Sequence, residues 1–238
     1  VYTKESTTFK VWAPSASNVV LKRYAKGSAE ESGDKVLGEI TMQKGEDGVW
    51  EVTVSGDLKN TFYTYLVTVN GNTQETNDVY AKAVGYNGNR AMVVELDDTD
   101  PQGWSEDSHV SVDQMTDAVI WEVHVRDYSS DESSGMENKG KYLAFTETGT
   151  TLNGEGDLAT GIEYLKELGV NYVQLLPAFD YVNDESDENS DSYDWGYSPL
   201  NYNVPEGVYS TDPYDGNTRI TEFKEMVQAL HENGIGVV

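Results

Sequence analysis

The sequence predicts a multidomain chain in which an all-β sandwich precedes a region of alternating strands and helices. Residues 1–100 hold short segments rich in β-branched and aromatic residues, separated by turn sequences. After residue 116, short apolar strand patterns alternate with segments whose apolar residues fall on one helical face. A polar, turn-rich stretch at residues 101–116 is predicted to link the two regions.

The first hundred residues are predicted to form an immunoglobulin-like β-sandwich. Regularly spaced short strands are typical of that fold, and Asn70-Gly71 supplies the positive φ angles of a tight hairpin turn. Trp12 and Trp50 lie within strand patterns, so we expect both indoles to fill the core. The predicted strands are 8–12, 19–24, 49–54, 62–69 and 91–96.

The rest of the chain, residues 117–238, is predicted to contain a parallel sheet. Asp157 stands where an N-cap belongs, and Gly169 and Gly234 stand where helices end. The predicted order is strand 118–125, helix 158–168, strand 170–176, helix 221–233 and strand 235–238. Because a (β/α)8 barrel needs about 250 residues, this region can supply only part of one.

Polar residues occupy every second position of the first of these strands. Glu122, His124 and Arg126 are therefore expected to share one face. We expect them to form a satisfied network of ion pairs and hydrogen bonds inside the fold rather than to act in catalysis.

A long loop follows the second of these strands, from Pro177 to about Asn217. It far exceeds the two to six residues that are typical of a strand-to-helix connection. In α/β barrels, sites are built from the loops that leave the carboxyl ends of the strands. The loop also concentrates aromatic residues with a glycine and a proline, and flat apolar rings in a rigid frame suit the faces of sugar rings.

One segment of this loop carries a specific motif. It runs Tyr193-Asp194-Trp195-Gly196-Tyr197-Ser198-Pro199 and closely resembles the Tyr-Asn-Trp-Gly-Tyr-Asp-Pro signature of type I pullulanases. These are the α-1,6-glucan debranching enzymes of glycoside hydrolase family 13. Asp194 and Ser198 depart from the signature, and the resemblance then continues to the last residue. Three further segments, 9–14, 48–52 and 80–84, resemble the carbohydrate-binding module family 48 domain of debranching and branching enzymes.

The resemblance implies a domain order. Residues 1–100 would form the module 48 domain, 101–116 the linker, and 117–238 the first part of a catalytic (β/α)8 TIM barrel that is truncated in this chain. That part would comprise the first two βα units and the opening of the third strand. In the family the catalytic carboxylates come from later strands, so we expect no catalytic residue in this chain and no activity from it alone.

The resemblance also implies substrate-binding residues. Tyr197 is expected to stack on the sugar next to the scissile bond, and Trp195 and Tyr193 to shape the same wall. The alternative is that these rings only hold the long loop against the rest of the fold.

The predicted function is therefore that of an α-1,6-glucan debranching hydrolase that cleaves pullulan, amylopectin or glycogen with retention. One alternative is a non-catalytic α-glucan-binding fragment. Another is a different family 13 enzyme: an isoamylase, a branching enzyme or an amylopullulanase. Besides the glucan, the expected partner is the remainder of the catalytic barrel.

Composition restricts the other partners. With 42 acidic and 16 basic side chains the net charge is −26, which disfavours nucleic acid and anionic membrane surfaces. The absence of cysteine excludes disulfides and thiolate chemistry. The sequence does not determine the compartment, although an extracellular or cell-surface location is favoured over the cytoplasm.

No cofactor is predicted, and calcium is the one metal that the sequence suggests. The acidic run from Asp184 to Asp191 fits an EF-hand template started at Asp187 only in part. Ser192 stands where that template requires glycine, and Ser198 stands where it requires glutamate. Calcium would therefore need another binding geometry.

Overall fold

Two antiparallel sheets form the first part of the molecule in the computed structural model, which describes residues 1–185 and 193–238. One sheet has the strand order β1-β5-β4, and the other has the order β3-β2-β6-β7 with β8 also paired to β6. The strands are β1 Ser6–Trp12, β2 Asn18–Tyr24, β3 Val36–Thr41, β4 Gln43–Lys44, β5 Val49–Ser55, β6 Phe62–Val69, β7 Asn72–Thr76 and β8 Ala91–Met92. Four of the five predicted strands are confirmed, whereas the fifth shortens to β8.

The two sheets enclose an apolar core, and the two tryptophans differ in their relation to it. Trp50 is 5% exposed and packs in this core, as predicted. The same prediction is wrong for Trp12, which is 64% exposed and donates its indole N–H to the carbonyl of Asp47. Phe9 and Val11 of β1 face the core, so strand alternation turns Trp12 to the outside.

A three-stranded parallel sheet with the order β13-β10-β9 forms the centre of the second part. Its strands are β9 Ile120–Val123, β10 Tyr172–Leu175 and β13 Gly236–Val237, each shorter than the predicted segment. Helix α1, Gly161–Glu167, lies between β9 and β10 in the chain, and helix α2, Gly216–Glu232, lies between β10 and β13. None of the helices in the described residues is long and apolar enough to cross a membrane.

Both helices begin at positions that differ from the prediction. Asp157 is not an N-cap, because Thr160 occupies that position after a stretch of extended backbone. Helix α2 begins five residues before Thr221, where the Asp215 carboxylate accepts the Asn217 N–H at 2.9 Å. The predicted ends are confirmed, since Gly169 and Gly234 both adopt positive φ directly after the helices.

The long loop after β10 contains a hairpin that the sequence did not predict. Strands β11 Phe179–Tyr181 and β12 Pro199–Pro205 pair antiparallel across it. Short 3₁₀ helices occupy several other connections: Glu46–Gly48, Tyr86–Gly88, Leu96–Thr99, Trp104–Glu106, Met115–Asp117, Glu132–Ser134, Tyr142–Thr146, Leu152–Gly154 and Gly207–Tyr209.

A buried polar cluster, which we call the junction, joins the hairpin, α2 and the sandwich. Arg219 is fully buried, and its guanidinium lies 3.1 Å from Asp180 and 2.8 Å from Glu185. It also donates to the carbonyl of Gly85 in the sandwich at 3.1 Å. Asn201 donates to the second oxygen of Asp180 at 2.7 Å. These contacts fix the base of the hairpin and hence the two ends of the segment that carries the aromatic motif.

The residues predicted as a linker lie against α2. Asp107 accepts from His231 at 2.8 Å, and the carbonyl of Gln102 accepts from Gln228 at 3.1 Å. Lys224 pairs with Asp100 at 2.5 Å just before this stretch. The segment between the sandwich and β9 therefore runs alongside helix α2.

Candidate functional site

The aromatic motif lies at the carboxyl ends of β9 and β10. His124 directly follows β9, and its Nε2 lies 3.0 Å from the backbone carbonyl oxygen of Asp194. Pro177 follows β10, and its carbonyl lies 2.8 Å from the place where a Cβ on Gly196 would stand. Both strands therefore position the motif, as the length and location of the loop predicted.

A tight turn presents the rings of the motif. The Asp194 carboxylate accepts the Gly196 N–H at 2.8 Å, and Gly196 adopts a φ of +81°. A side chain at Gly196 would be strained by this φ and would crowd Pro177. Trp195 and Tyr197 therefore flank a glycine whose backbone conformation is constrained.

The three predicted substrate-binding rings, which we call the aromatic wall, lie within five consecutive residues and are all exposed. Tyr193, Trp195 and Tyr197 are 44%, 58% and 67% exposed. The Tyr193 and Trp195 rings meet edge to face with centroids 5.6 Å apart. Such an arrangement of exposed rings provides apolar faces without burying them in the core.

Tyr193 is the ring that anchors the wall. Its hydroxyl donates to the Asp127 carboxylate at 3.1 Å, and its ring lies 5.1 Å from the His124 ring. Burial and the nearby Asp127 carboxylate raise the pKa of Tyr193 above its ordinary value. The hydroxyl therefore stays protonated and keeps its role as donor near neutral pH.

Beneath the wall, His124 is buried and contacts further tyrosines. Because a carbonyl can only accept, the Nε2 of His124 carries the hydrogen that meets Asp194. The same nitrogen lies 3.1 Å from the Tyr209 hydroxyl, which is 3.2 Å from that of Tyr181. Burial raises the pKa of Tyr181 to about 12 and also raises that of Tyr209, so both hydroxyls stay protonated near neutral pH and hold this part of the loop.

The prediction that Glu122, His124 and Arg126 share one face of the first strand is wrong. Strand β9 ends at Val123, so the alternation does not extend to His124 or Arg126. Glu122 is exposed and accepts from Gln174 on β10 at 3.0 Å, whereas His124 is buried against the motif. These residues therefore belong to different surroundings.

The two carboxylates of the wall have structural partners. Asp127 accepts from Tyr193, and Asp194 accepts from Gly196. Sequence reasoning missed both contacts, although aspartate two residues before glycine is a common turn signal. Both carboxylates therefore support the motif, and the exposed rings offer flat apolar faces to the solvent.

The structure does not test the prediction that the chain has no cofactor, or the suggestion that it binds calcium. Residues 187–192, the first half of the EF-hand template that starts at Asp187, lie outside the described residues. Across residues 1–185 and 193–238 no group of three or more histidine, aspartate or glutamate side chains is arranged to hold a metal ion.

Comparison with known proteins defines the class of the first part of the chain. Residues 1–81 match carbohydrate-binding module 48, the isoamylase N-terminal domain. This match agrees with the two packed antiparallel sheets of the structure. The first part of the chain is thus similar to carbohydrate-binding module family 48 over residues 1–81.

The rest of the comparison concerns the whole chain. It is 42% identical over its full length to a pullulanase of Bacillus subtilis. It superposes on the pullulanase from Bacillus acidopullulyticus with a TM-score of 0.92 at 48% identity, covering 100% of this chain and 28% of that one. A pullulanase variant from Paenibacillus barengoltzii in complex with maltotriose gives a TM-score of 0.94 at 42% identity, covering 100% of this chain and 36% of that one.

These matches identify the relatives of the chain. Along its whole length it is related to the pullulanases, as the aromatic motif predicted. The chain spans only about a third of the length of these relatives, 31% in the case of the Bacillus subtilis protein.

Proposed function

We propose that this chain is part of an α-1,6-glucan debranching hydrolase of the pullulanase type. The observation that carries the proposal is the exposed aromatic wall at the carboxyl ends of two parallel strands. The wall bears the motif that resembles the family signature. The similarity of this whole chain to part of the length of known pullulanases supports the same activity.

The proposal includes a domain arrangement. The sandwich would comprise residues 1–100, the linker 101–116, and the first part of a (β/α)8 barrel 117–238. The parallel order of β9, β10 and β13, with a helix before each of the last two, supports this arrangement. The exposed Glu122 on β9 would then face the space that further strands enclose.

Within the enzyme, Tyr197 would provide the platform for the sugar next to the scissile bond. Its 67% exposure favours this role over the alternative in which the ring only holds the loop. Tyr193 does hold the loop, through Asp127 and His124. Trp195, in edge contact with Tyr193, would extend the apolar surface along the glucan.

Hydrolysis with retention needs two carboxyl groups about 5 Å apart, one as nucleophile and one as acid and base. Asp127 and Asp194 are each engaged by a neighbour of the motif and are poor candidates. The resemblance to the family, whose catalytic carboxylates come from later strands, leads us to place the catalytic pair in residues beyond this sequence. The chain would bind and orient pullulan, amylopectin or glycogen for that pair.

The test compares residues 1–238 with the full-length gene product on pullulan. We expect the full-length protein to release maltotriose and the shorter protein to release no reducing sugar. Reducing-sugar release by pure residues 1–238 would contradict the placement of the carboxylates. Binding of pullulan by the full-length protein without cleavage would instead identify a glucan-binding protein.

The products distinguish the family 13 alternatives. Cleavage of α-1,6 bonds alone gives maltotriose as the only small product, because pullulan consists of α-1,6-linked maltotriose units. Smaller sugars would indicate mixed α-1,4 and α-1,6 activity, and a longer product with new branches would indicate transfer. Only the first outcome agrees with the proposal.

A further inference from the structure

A second cleft lies on the sandwich side of the junction and shares no residue with the aromatic wall. It has a volume of about 560 Å³ and is lined by Lys26, Glu30, Glu31, Ser32, Tyr86 and Tyr214. This volume falls within the range of about 300–1,000 Å³ that small-molecule sites occupy. Its residues come from three separate parts of the chain.

Two tyrosines form the floor of this cleft. The Tyr86 and Tyr214 rings stack face to face, with centroids 4.3 Å apart and planes within 5° of parallel. Tyr86 is buried, whereas Tyr214 is 45% exposed. Because Tyr86 covers one face of Tyr214, the exposed area of that ring belongs to its other face and its edges. One aromatic face is therefore available to a ligand.

The rim of the cleft carries both hydrogen-bond donors and acceptors. Lys26 and Ser32 can donate, and the carboxylates of Glu30 and Glu31 can accept. Glu31 also accepts the Ser28 N–H at 2.8 Å, which orients its carboxylate. Two carboxylates with one ammonium disfavour anionic ligands. An aromatic face beside mixed donors and acceptors suits a neutral molecule with many hydroxyl groups.

Arg90 holds the loop that forms this rim. Its guanidinium donates to the Lys26 carbonyl at 2.8 Å and to the two Asp34 oxygens at 2.8 and 3.2 Å. It also stacks over the Tyr24 ring, 3.6 Å from the centroid. One buried side chain thus ties both ends of the loop that carries Glu30, Glu31 and Ser32.

The floor is held in a similar way. A Cβ on Gly27 would lie only 2.5 Å from the Cα of Gly85, so the rim loop and the backbone before Tyr86 are in direct contact. Arg219 of the junction donates to the carbonyls of Gly85 and Pro213, the residues that precede Tyr86 and Tyr214. The two rings are therefore positioned before any ligand arrives, which lowers the entropic cost of binding.

We propose that this cleft is a secondary α-glucan-binding site in which a glucose ring stacks on Tyr214 while the rim binds its hydroxyl groups. The choice of an α-glucan over other neutral sugars rests on the proposed function. The site would hold a distant part of the polymer while the aromatic wall holds the part to be cleaved.

The test is a titration of ¹⁵N-labelled residues 1–238 with maltohexaose, followed by NMR. We expect saturable shifts of the Gly27, Ser32 and Tyr86 amides. Tyr214→Ala should weaken the binding reported by these amides about five- to tenfold, because it removes the stacking face. Tyr214→Phe keeps the ring and should bind within about twofold of the original protein.

Two controls keep the result specific. Tyr80 is 67% exposed and lies outside the cleft, so Tyr80→Ala should leave these amide shifts unchanged. Tyr197→Ala should abolish shifts at the aromatic wall and leave those of the cleft intact. A failure at the cleft is thereby distinguished from a failure of the proposed function.

The proposal is overturned if the cleft amides show no saturable shift. It is also overturned if Tyr214→Ala, with unchanged thermal unfolding, binds as the original protein does. A Tyr214→Ala variant that loses stability is replaced by Glu30→Ala, which removes an exposed rim carboxylate and both of its acceptor oxygens. Unchanged cleft binding in that variant would exclude the rim from the site.

Discussion

The junction and the aromatic wall reverse the usual distribution of side chains. In the junction, Arg219, Asp180 and Glu185 are at most 2% exposed, although charged residues are seldom buried. In the aromatic wall, rings that usually contribute to the core are 44% to 67% exposed. The charged residues are inside and the aromatic residues are outside, within a single loop and its supports.

The difference separates positioning from binding. The junction joins Arg219 to the carboxylates of Asp180 and Glu185 and to a backbone carbonyl, so it fixes the geometry of three chain segments. The wall leaves Trp195 and Tyr197 largely exposed, so their apolar area can be removed from water by a ligand. Substitutions in the junction should therefore alter stability, whereas substitutions at Tyr197 should alter activity.

The largest effect is expected from Arg219→Met. It leaves the buried carboxylates of Asp180 and Glu185 without their cation, which should cost about 3–5 kcal/mol of unfolding free energy. Urea denaturation measures the loss. Lys82→Met is the control, since Lys82 is exposed, and it should change the free energy by less than about 0.5 kcal/mol. Similar free energies for both variants would mean that the junction does not hold the fold together.

The junction should also make stability depend on pH. Burial raises the pKa of Glu185 from 4.5 to about 7, so the folded chain keeps a proton that the unfolded chain loses. The unfolding free energy should therefore fall as pH rises from about 4.5 to about 7, by at most about 1.4 kcal/mol per pH unit from this group. Burial also raises the pKa values of Asp180 and Glu206, which adds a slope of the same sign.

Glu185→Gln isolates this contribution. Its unfolding free energy, measured in urea at several pH values, should decline less steeply over the same window. Equal slopes for the variant and the original protein would show that Glu185 is ionised in the folded state throughout. The aromatic wall offers a contrast, because Tyr197→Ala should leave the slope unchanged.

A smaller loss of stability is expected from Gly207→Ala. A Cβ at this position would overlap the Glu185 carboxylate and the Arg219 guanidinium, so the junction would have to shift. Overpacking of this kind costs about 1–3 kcal/mol, measurable as a lower midpoint of thermal unfolding. Gly45→Ala is the matched control, because its nearest neighbour is 3.4 Å away and its φ is −94°. An equal effect of both changes would mean that the packing around Gly207 is not tight.

Local patterns in the sequence predicted most of the fold. Four strands of the sandwich, the parallel order and the glycines that end both helices all follow from periodicity and turn chemistry over a few residues. The start of α2 was missed because Gly216, Asn217 and Thr218 are weak helix formers. Gly216 is helical because the helix packs directly on Val84 and Met92 of the sandwich, which no local pattern reports.

The candidate site was predicted only in part for the same reason. The motif Tyr193 to Pro199 is contiguous, so its position in the loop could be found from the sequence alone. The junction and the cleft assemble residues that lie far apart in the chain, such as Glu31 and Tyr214. Arg219 lies before the predicted helix 221–233, and no local pattern indicates that its side chain is buried. Trp12 shows the converse error, because a strand pattern alone does not say which face is buried.

The last prediction concerns the aromatic wall and is the smallest in free energy. In the full-length protein, Tyr197→Ala should lower kcat/KM on pullulan about tenfold, equivalent to about 1.4 kcal/mol, because the ring both stacks on the sugar and positions it. Tyr197→Phe should be much milder. Because Tyr197 is 67% exposed, neither change should lower the midpoint of thermal unfolding. If Tyr197→Ala lowers stability together with activity, the ring holds the loop and belongs with the junction; if kcat/KM is unchanged, the sugar stacks elsewhere.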